Sequence, residues 1–127
     1  MSVFRKIVLF TDVDGRARFR EETVDLTEGT EQVRKSQPFP CGSYRFRQSP
    51  VGFHADFHCP EKPLWVVILG GQMEVILRDG SSRIFKPGDC YYAADVLPSG
   101  AVFNKELHGH ASRQVGSDPL VTLFVDV

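Results

Sequence analysis

The chain has 127 residues, 42% of them hydrophobic and 24% charged, with a formal net charge of −1. That length supports one domain with its own core, without disulfide staples. The even charge balance excludes the basic face that nucleic-acid binding needs, and the longest apolar run, Leu64 to Leu69, falls far short of the roughly 20 residues of a membrane-spanning helix. Three cysteines (Cys41, Cys59 and Cys90) form no Cys-x-x-Cys pair and leave an odd thiol. No disulfide framework is therefore expected, and the expected compartment is the cytoplasm. The run Ile7 to Phe10 is too short for a secretory leader core, and Asp12 and Asp14 follow it at once.

In chain order, Lys6–Val13 and Arg16–Leu26 flank Asp14-Gly15, a dipeptide that favours a tight two-residue hairpin turn. Ala17 and Phe19 alternate with Arg16, Arg18 and Arg20, which read as a solvated sheet face. Residues 27–42 hold Gly29, Pro38, Pro40 and Gly42 and read as a connection, with a helical turn expected over Thr30–Ser36. Alternation resumes at Tyr44-Arg45-Phe46-Arg47, is broken by Pro50 and Gly52, and returns in Phe53-His-Ala-Asp-Phe-His58. Pro60 and Pro63 end that strand, because proline cannot donate to a ladder.

Trp65–Leu69 is continuously apolar, as expected of a strand buried on both faces. Met73–Arg78 and Ser81–Phe85 flank Asp79-Gly80, a second hairpin signal, and Pro87-Gly88-Asp89 makes another turn before Cys90–Ala94. Pro98-Ser99-Gly100 interrupts the pattern, and Ala101–Leu107 reads as a strand or a loop excursion. Ser112–Val115 and Val121–Val127 close the chain, the last placing Val121, Leu123, Val125 and Val127 on one face. No segment of ten residues shows a convincing helical apolar repeat. Many short strands with regular turn signals imply an all-β sandwich or barrel.

All four histidines fall in two clusters. Successive side chains of a strand point to opposite faces, so His54, Asp56 and His58 are expected on one face and Phe53, Ala55 and Phe57 on the other. His108 and His110 share the same spacing, but Gly109 permits a bend between them, and His108 is expected in solvent. Cys59 turns away from the histidine face and reads as a small buried hydrophobe rather than a nucleophile. No nucleophile elbow and no phosphate loop are present.

From Gly52 onward the chain resembles the cupins. The resemblance is carried by His54-Ala-Asp-Phe-His58, Trp65-Val-Val-Ile-Leu-Gly-Gly71-Gln-Met-Glu-Val75, Asp79-Gly80, Phe85-Lys-Pro-Gly-Asp89, Gly109-His-Ala-Ser-Arg113 and Val121–Val125. It covers about residues 44–127, and the Gly109–Arg113 segment is similar to that of a group of small bacterial cupins. It implies an all-β double-stranded β-helix, the cupin jelly-roll barrel, with an extra N-terminal β-hairpin. The expected division of the single domain 1–127 is 1–43 for the hairpin and connection and 44–127 for the barrel. Compared with the metal-binding motif, the first histidine is replaced by Asp56 and the later glutamate position falls near Leu64. The stretch Asp95–Glu106 reads as an insertion, a lid over the barrel mouth.

Within such a barrel the resemblance implies that Asp56, His58 and His110 hold a divalent transition metal (Fe, Zn, Mn or Ni), with His54 as a fourth ligand or a proton-transfer group. Two imidazoles and a carboxylate with open positions suit these ions. The alternative for the same groups is a hydrogen-bonded polar network, with Asp56 setting a histidine tautomer. Ser112, Arg113 and Tyr92 are expected to line the substrate pocket, Arg113 as a bidentate partner for a carboxylate. No organic cofactor, nucleic-acid partner or membrane partner is expected. A small-molecule ligand is, together with a homodimer formed through the apolar N-terminal strand. Three functions stay open: a metal-dependent enzyme of dioxygenase or isomerase type, a metal-free binding or sensing module, and a structural barrel acting through its dimer interface.

Overall fold

The computed structural model describes residues 2–127, and the alternating runs form twelve strands. They are β1 (Val3–Thr11), β2 (Ala17–Asp25), β3 (Glu28–Gly29), β4 (Arg34–Lys35), β5 (Tyr44–Ser49) and β6 (His54–His58). There follow β7 (Leu64–Gly70), β8 (Gln72–Ile76), β9 (Ser82–Phe85), β10 (Cys90–Ala94), β11 (His110–Val115) and β12 (Leu120–Asp126). Among the described residues there is no helix, and hence none long and apolar enough to cross a membrane.

Two sheets face each other as a jelly-roll barrel. One has the order β2-β1-β10-β7-β12-β5, the other β6-β11-β8-β9, and β3-β4 form a separate small ribbon. The β1–β10 pair is parallel, and every other pair is antiparallel. The N-terminal hairpin is therefore part of the barrel wall, with β1 an interior strand between β2 and β10. The helical turn expected over Thr30–Ser36 is replaced by the β3–β4 ribbon. There the Thr30 hydroxyl accepts the Gln32 and Val33 amides and the chain turns back on itself.

Both Asp-Gly turns are longer than the expected two residues. Asp12 donates its amide to the Arg16 carbonyl and Gly15 to Asp12, and Leu77, Ser81 and Gly80 repeat that pattern. Each loop thus holds three residues with glycine in the left-handed position, Gly15 at φ 86° and Gly80 at φ 88°.

Leu9, Val66, Ile68, Met73, Val75, Leu77, Phe85, Tyr91, Ala93 and Leu120 form the core between the sheets. Full burial of each large aliphatic contributes about 1.5–3 kcal/mol before entropy is counted. Phe85 lies on Tyr91 with ring centroids 4.6 Å apart, and Phe19 lies 6.4 Å from Phe85, so aromatic rings from β2, β9 and β10 pack together.

The β7 strand is not buried on both faces as its composition suggested. Val66 and Ile68 point into the core, while Leu69 on the opposite face is 48% exposed. The same parity governs β12: Leu120, Thr122 and Phe124 face inward, and Val121, Leu123 and Val125 lie on the outer face.

Candidate functional site

A strand directs its side chains by pairing as well as by sequence. In β6 the pairing contains a slip: His58 faces His110 and Ala55 faces Ser112, so three steps on β6 match two on β11. The extra residue is a β-bulge, and such an insertion resets which face each side chain takes. Ala55 and His58 both border the interior cavity, His58 from an exposed position. His54 and Asp56 instead border an outer groove with Ile76 and Arg113. The expectation that His54, Asp56 and His58 share one face is corrected here.

Asp56 is exposed, 3.6 Å from Lys105 Nζ, and its own carboxylate accepts the Phe57 amide at 2.8 Å. That amide and the Lys105 charge hold its carboxyl below the usual carboxylate range. The expected Asp56, His58, His110 metal set is therefore not assembled, and His54 does not complete it. Among the described residues no three His, Cys, Asp or Glu groups are placed to hold an ion. These donors do not fit the implied metal.

What meets at the edge of the interior is a pair of imidazoles, exposed His58 and buried His110, with ring centroids 4.7 Å apart and planes tilted by 51°. His58 Nδ1 lies 2.7 Å from the Asp56 carbonyl oxygen, which can only accept, so Nδ1–H donates and Nε2 is left over. His110 is held by a residue absent from the expected site: its Nδ1–H donates to Asp95 Oδ2 at 2.6 Å. Asp95 is fully buried, and its Oδ1 has no partner among the described residues. The bond fixes the tautomer of His110, leaving Nε2 as the ring's basic atom toward the interior. In the sequence pattern Asp95 marks only the start of an insertion. Its signal was present, because the inward alternation Tyr91, Ala93 on β10 continues to position 95.

The pair opens onto a cavity of about 240 Å³, with Phe53, Leu64, Val66, Met73, Leu120 and Phe124 as its apolar wall. Arg47, Ser49, Tyr91, Ser112 and Thr122 supply further polar groups, and the lining contains no Asp or Glu. Burial, with a smaller push from Asp95, raises the Tyr91 hydroxyl well above its ordinary range and keeps it protonated.

The expected pocket residues divide. Ser112 lines the cavity. Arg113 is turned outward into an ion pair with Glu74 at 2.6 Å. Tyr92 also points outward, onto Trp65 at 5.3 Å and beneath Lys6 at 4.2 Å, because β10 pairs Tyr91 with the inward Val66. Its neighbour Tyr91 takes the place in the pocket.

His108 is buried rather than solvated, and its Nδ1 accepts the Asn104 amide at 3.0 Å. Gly109, at φ 78°, separates it from His110 as expected. The 95–109 segment is a loop whose Val96, Leu97 and Phe103 form a groove with Phe57, His58 and Cys59. His58 thus borders both this groove and the cavity. Burial pushes the Cys59 thiol up to about 11, consistent with a packing role rather than a nucleophilic one.

Two facing sheets of this strand order, closed into a small barrel, give the chain a cupin-type jelly-roll fold. Among solved structures the chain is similar to the cupin domain of Schizosaccharomyces pombe Cnp3, with 13% identity, a TM-score of 0.50 and coverage of 98% of this chain and 83% of that one. A cupin 2 domain-containing protein from Halorhodospira halophila aligns at 17% identity and a TM-score of 0.43, covering 98% of this chain and 64% of that one. No family model matches the chain, and no curated protein matches it.

Proposed function

We propose that the barrel binds a small organic molecule in the interior cavity, against the His58–His110 pair and without a metal held by Asp56. The observation that carries this reading is an accessible 240 Å³ space whose wall is mainly apolar and which two facing imidazoles border. Ligand sites have that character: a few placed polar groups in an apolar concavity. A structural barrel acting only through its surface has no use for such a space, and core side chains would fill it.

The test is a small-molecule screen by thermal shift and ligand-observed NMR on wild type, His110→Ala and Ala55→Leu, the last extending a side chain into the cavity. A true ligand at a hundredfold excess over its Kd stabilises the fold by about 2.7 kcal/mol. Stabilisation in wild type that is lost in both variants supports the reading. Binders insensitive to both substitutions refute it.

Asp95 favours a second reading, in which the bound molecule also undergoes proton transfer at His110 Nε2. A carboxylate behind an imidazole orients it and balances the charge that appears on proton uptake. Exchange of a carbon-bound ligand proton for deuterium in D2O, abolished in His110→Gln while binding persists, distinguishes this enzyme from a binding module.

A further inference from the structure

One charged group of the cavity lining is still without an ion-pair partner among the described residues. Arg47 enters the barrel wall from β5, the edge strand of the six-stranded sheet, and lines the cavity beside Ser49. Its guanidinium lies over the Phe124 ring at 4.4 Å. No carboxylate pairs with it among the described residues, whereas Arg18 and Arg113 are each engaged by an acid. The one acid along the adjoining groove, Asp126, is taken up by the Ser43 hydroxyl at 2.9 Å and by Lys62 at 3.6 Å. Arg45 borders the same groove and adds a second positive charge.

We propose that the ligand of this cavity is a small monocarboxylate with a ring or branched apolar body, its carboxylate held by Arg47 and its far end against His58 and His110. The proposal rests on the pocket reading above and names the ligand class of that same cavity. Three features converge on it. Arg presents a planar fork that matches a carboxylate, and stacking on Phe124 holds that fork in place before binding. With no acid in the lining, no lining carboxylate competes for the guanidinium. Size sets the body: a cavity of about 150 Å³ accommodates benzene, and this one is larger.

The test uses matched probes of one shape and three charges: benzoate, phenylacetate and cyclohexanecarboxylate, their primary amides, and the corresponding amines. Binding is read by ligand-observed NMR and isothermal titration on wild type, Arg47→Met and Arg47→Lys. Because Arg47 is exposed, both variants are expected to fold, and a wild-type thermal transition checks this. The carboxylates are expected to bind about tenfold to a hundredfold tighter than the amides, with the amines weakest. Arg47→Met removes that preference by weakening the acids far more than the amides, Arg47→Lys retains part of it, and added salt weakens the acids most. Amides binding as tightly as acids, or a preference that survives Arg47→Met, overturns the carboxylate assignment and leaves the pocket reading in place. Failure of all three classes to bind overturns both.

Discussion

Replacing Gly109 by alanine tests how closely β11 must approach β6 for the two histidines to meet. A Cβ at this position stands 2.2 Å from the His58 carbonyl oxygen and 2.6 Å from its carbon, where ordinary contact begins near 3.4 Å. Both atoms are backbone, so the strand itself has to move. Gly109 also has φ 78°, which an L side chain rarely adopts. Gly80 is the control, with φ 88° and nothing within 4 Å of its added Cβ. The left-handed conformation alone costs about 1–2 kcal/mol for alanine. Displacing packed backbone adds about 1–3 kcal/mol at Gly109 only. Urea and thermal denaturation of the two variants read the difference directly. At about 3–5 °C per kcal/mol for a chain of this length, Gly109→Ala melts at least about 3 °C below Gly80→Ala. The nuclear Overhauser effect between the His58 and His110 rings weakens in parallel. Equal stability of the two variants, with the ring contact intact, refutes the argument that this glycine sets the distance between the imidazoles.

Asp95→Ala removes the partner of His110 Nδ1 and destabilises the fold by about 2–3 kcal/mol. Imidazole ¹⁵N NMR then shows mixed tautomers at His110, and a single Nδ1–H form persisting in the variant contradicts the assignment. Asp56→Ala leaves transition-metal content unchanged by plasma mass spectrometry, and loss of one equivalent in that variant would restore the metal reading. Glu74 is held below its ordinary range first by the Ser82 hydroxyl and then by Arg113. A carboxyl whose folded value is depressed contributes stability above its unfolded range and loses it as pH falls through the folded one. Ser82→Ala therefore flattens the acid limb of the stability curve as pH falls below the ordinary carboxylate range, and an unchanged limb counts against that hydrogen bond. At pH 8 the Cys59 thiol, pushed up to about 11, is thiolate in only about one molecule in a thousand. Iodoacetamide accordingly labels exposed Cys41 first, and equal rates at both sites contradict the burial argument.

Much of the barrel is legible in local chemistry. Asp14-Gly15 and Asp79-Gly80 mark hairpins because glycine alone takes the left-handed position without strain, and the proline boundaries around 50, 60 and 87 mark strand ends. The two histidine clusters are visible as clusters, and the pairing of His58 with His110 follows once they are placed on opposed strands. Their neighbours are not. Nothing local at residues 54–58 announces the bulge, which exists only against β11 and sends Asp56 outward. The choice between Tyr91 and Tyr92 depends on which face of β7 is inside, and Trp65–Leu69 is apolar on both.

Asp95 and Arg47 make the same point from the other direction. Each continues an alternation that the sequence displays, Tyr91-Ala93-Asp95 and Arg45-Arg47-Ser49, but alternation sorts residues into two sets without naming the inner one. The sequence by itself determined that this is an all-β chain of short strands, where it turns, and that its histidines lie in two clusters. Backbone dihedral preferences and the two-residue period of a strand act within a few residues, so those features are local. Only the tertiary structure decided which set faces the cavity, that the Asp95 carboxylate and not that of Asp56 holds His110, and that Arg47 lines the cavity. Those depend on strand pairing between segments distant in the chain, where one extra residue in a ladder exchanges the inside for the outside.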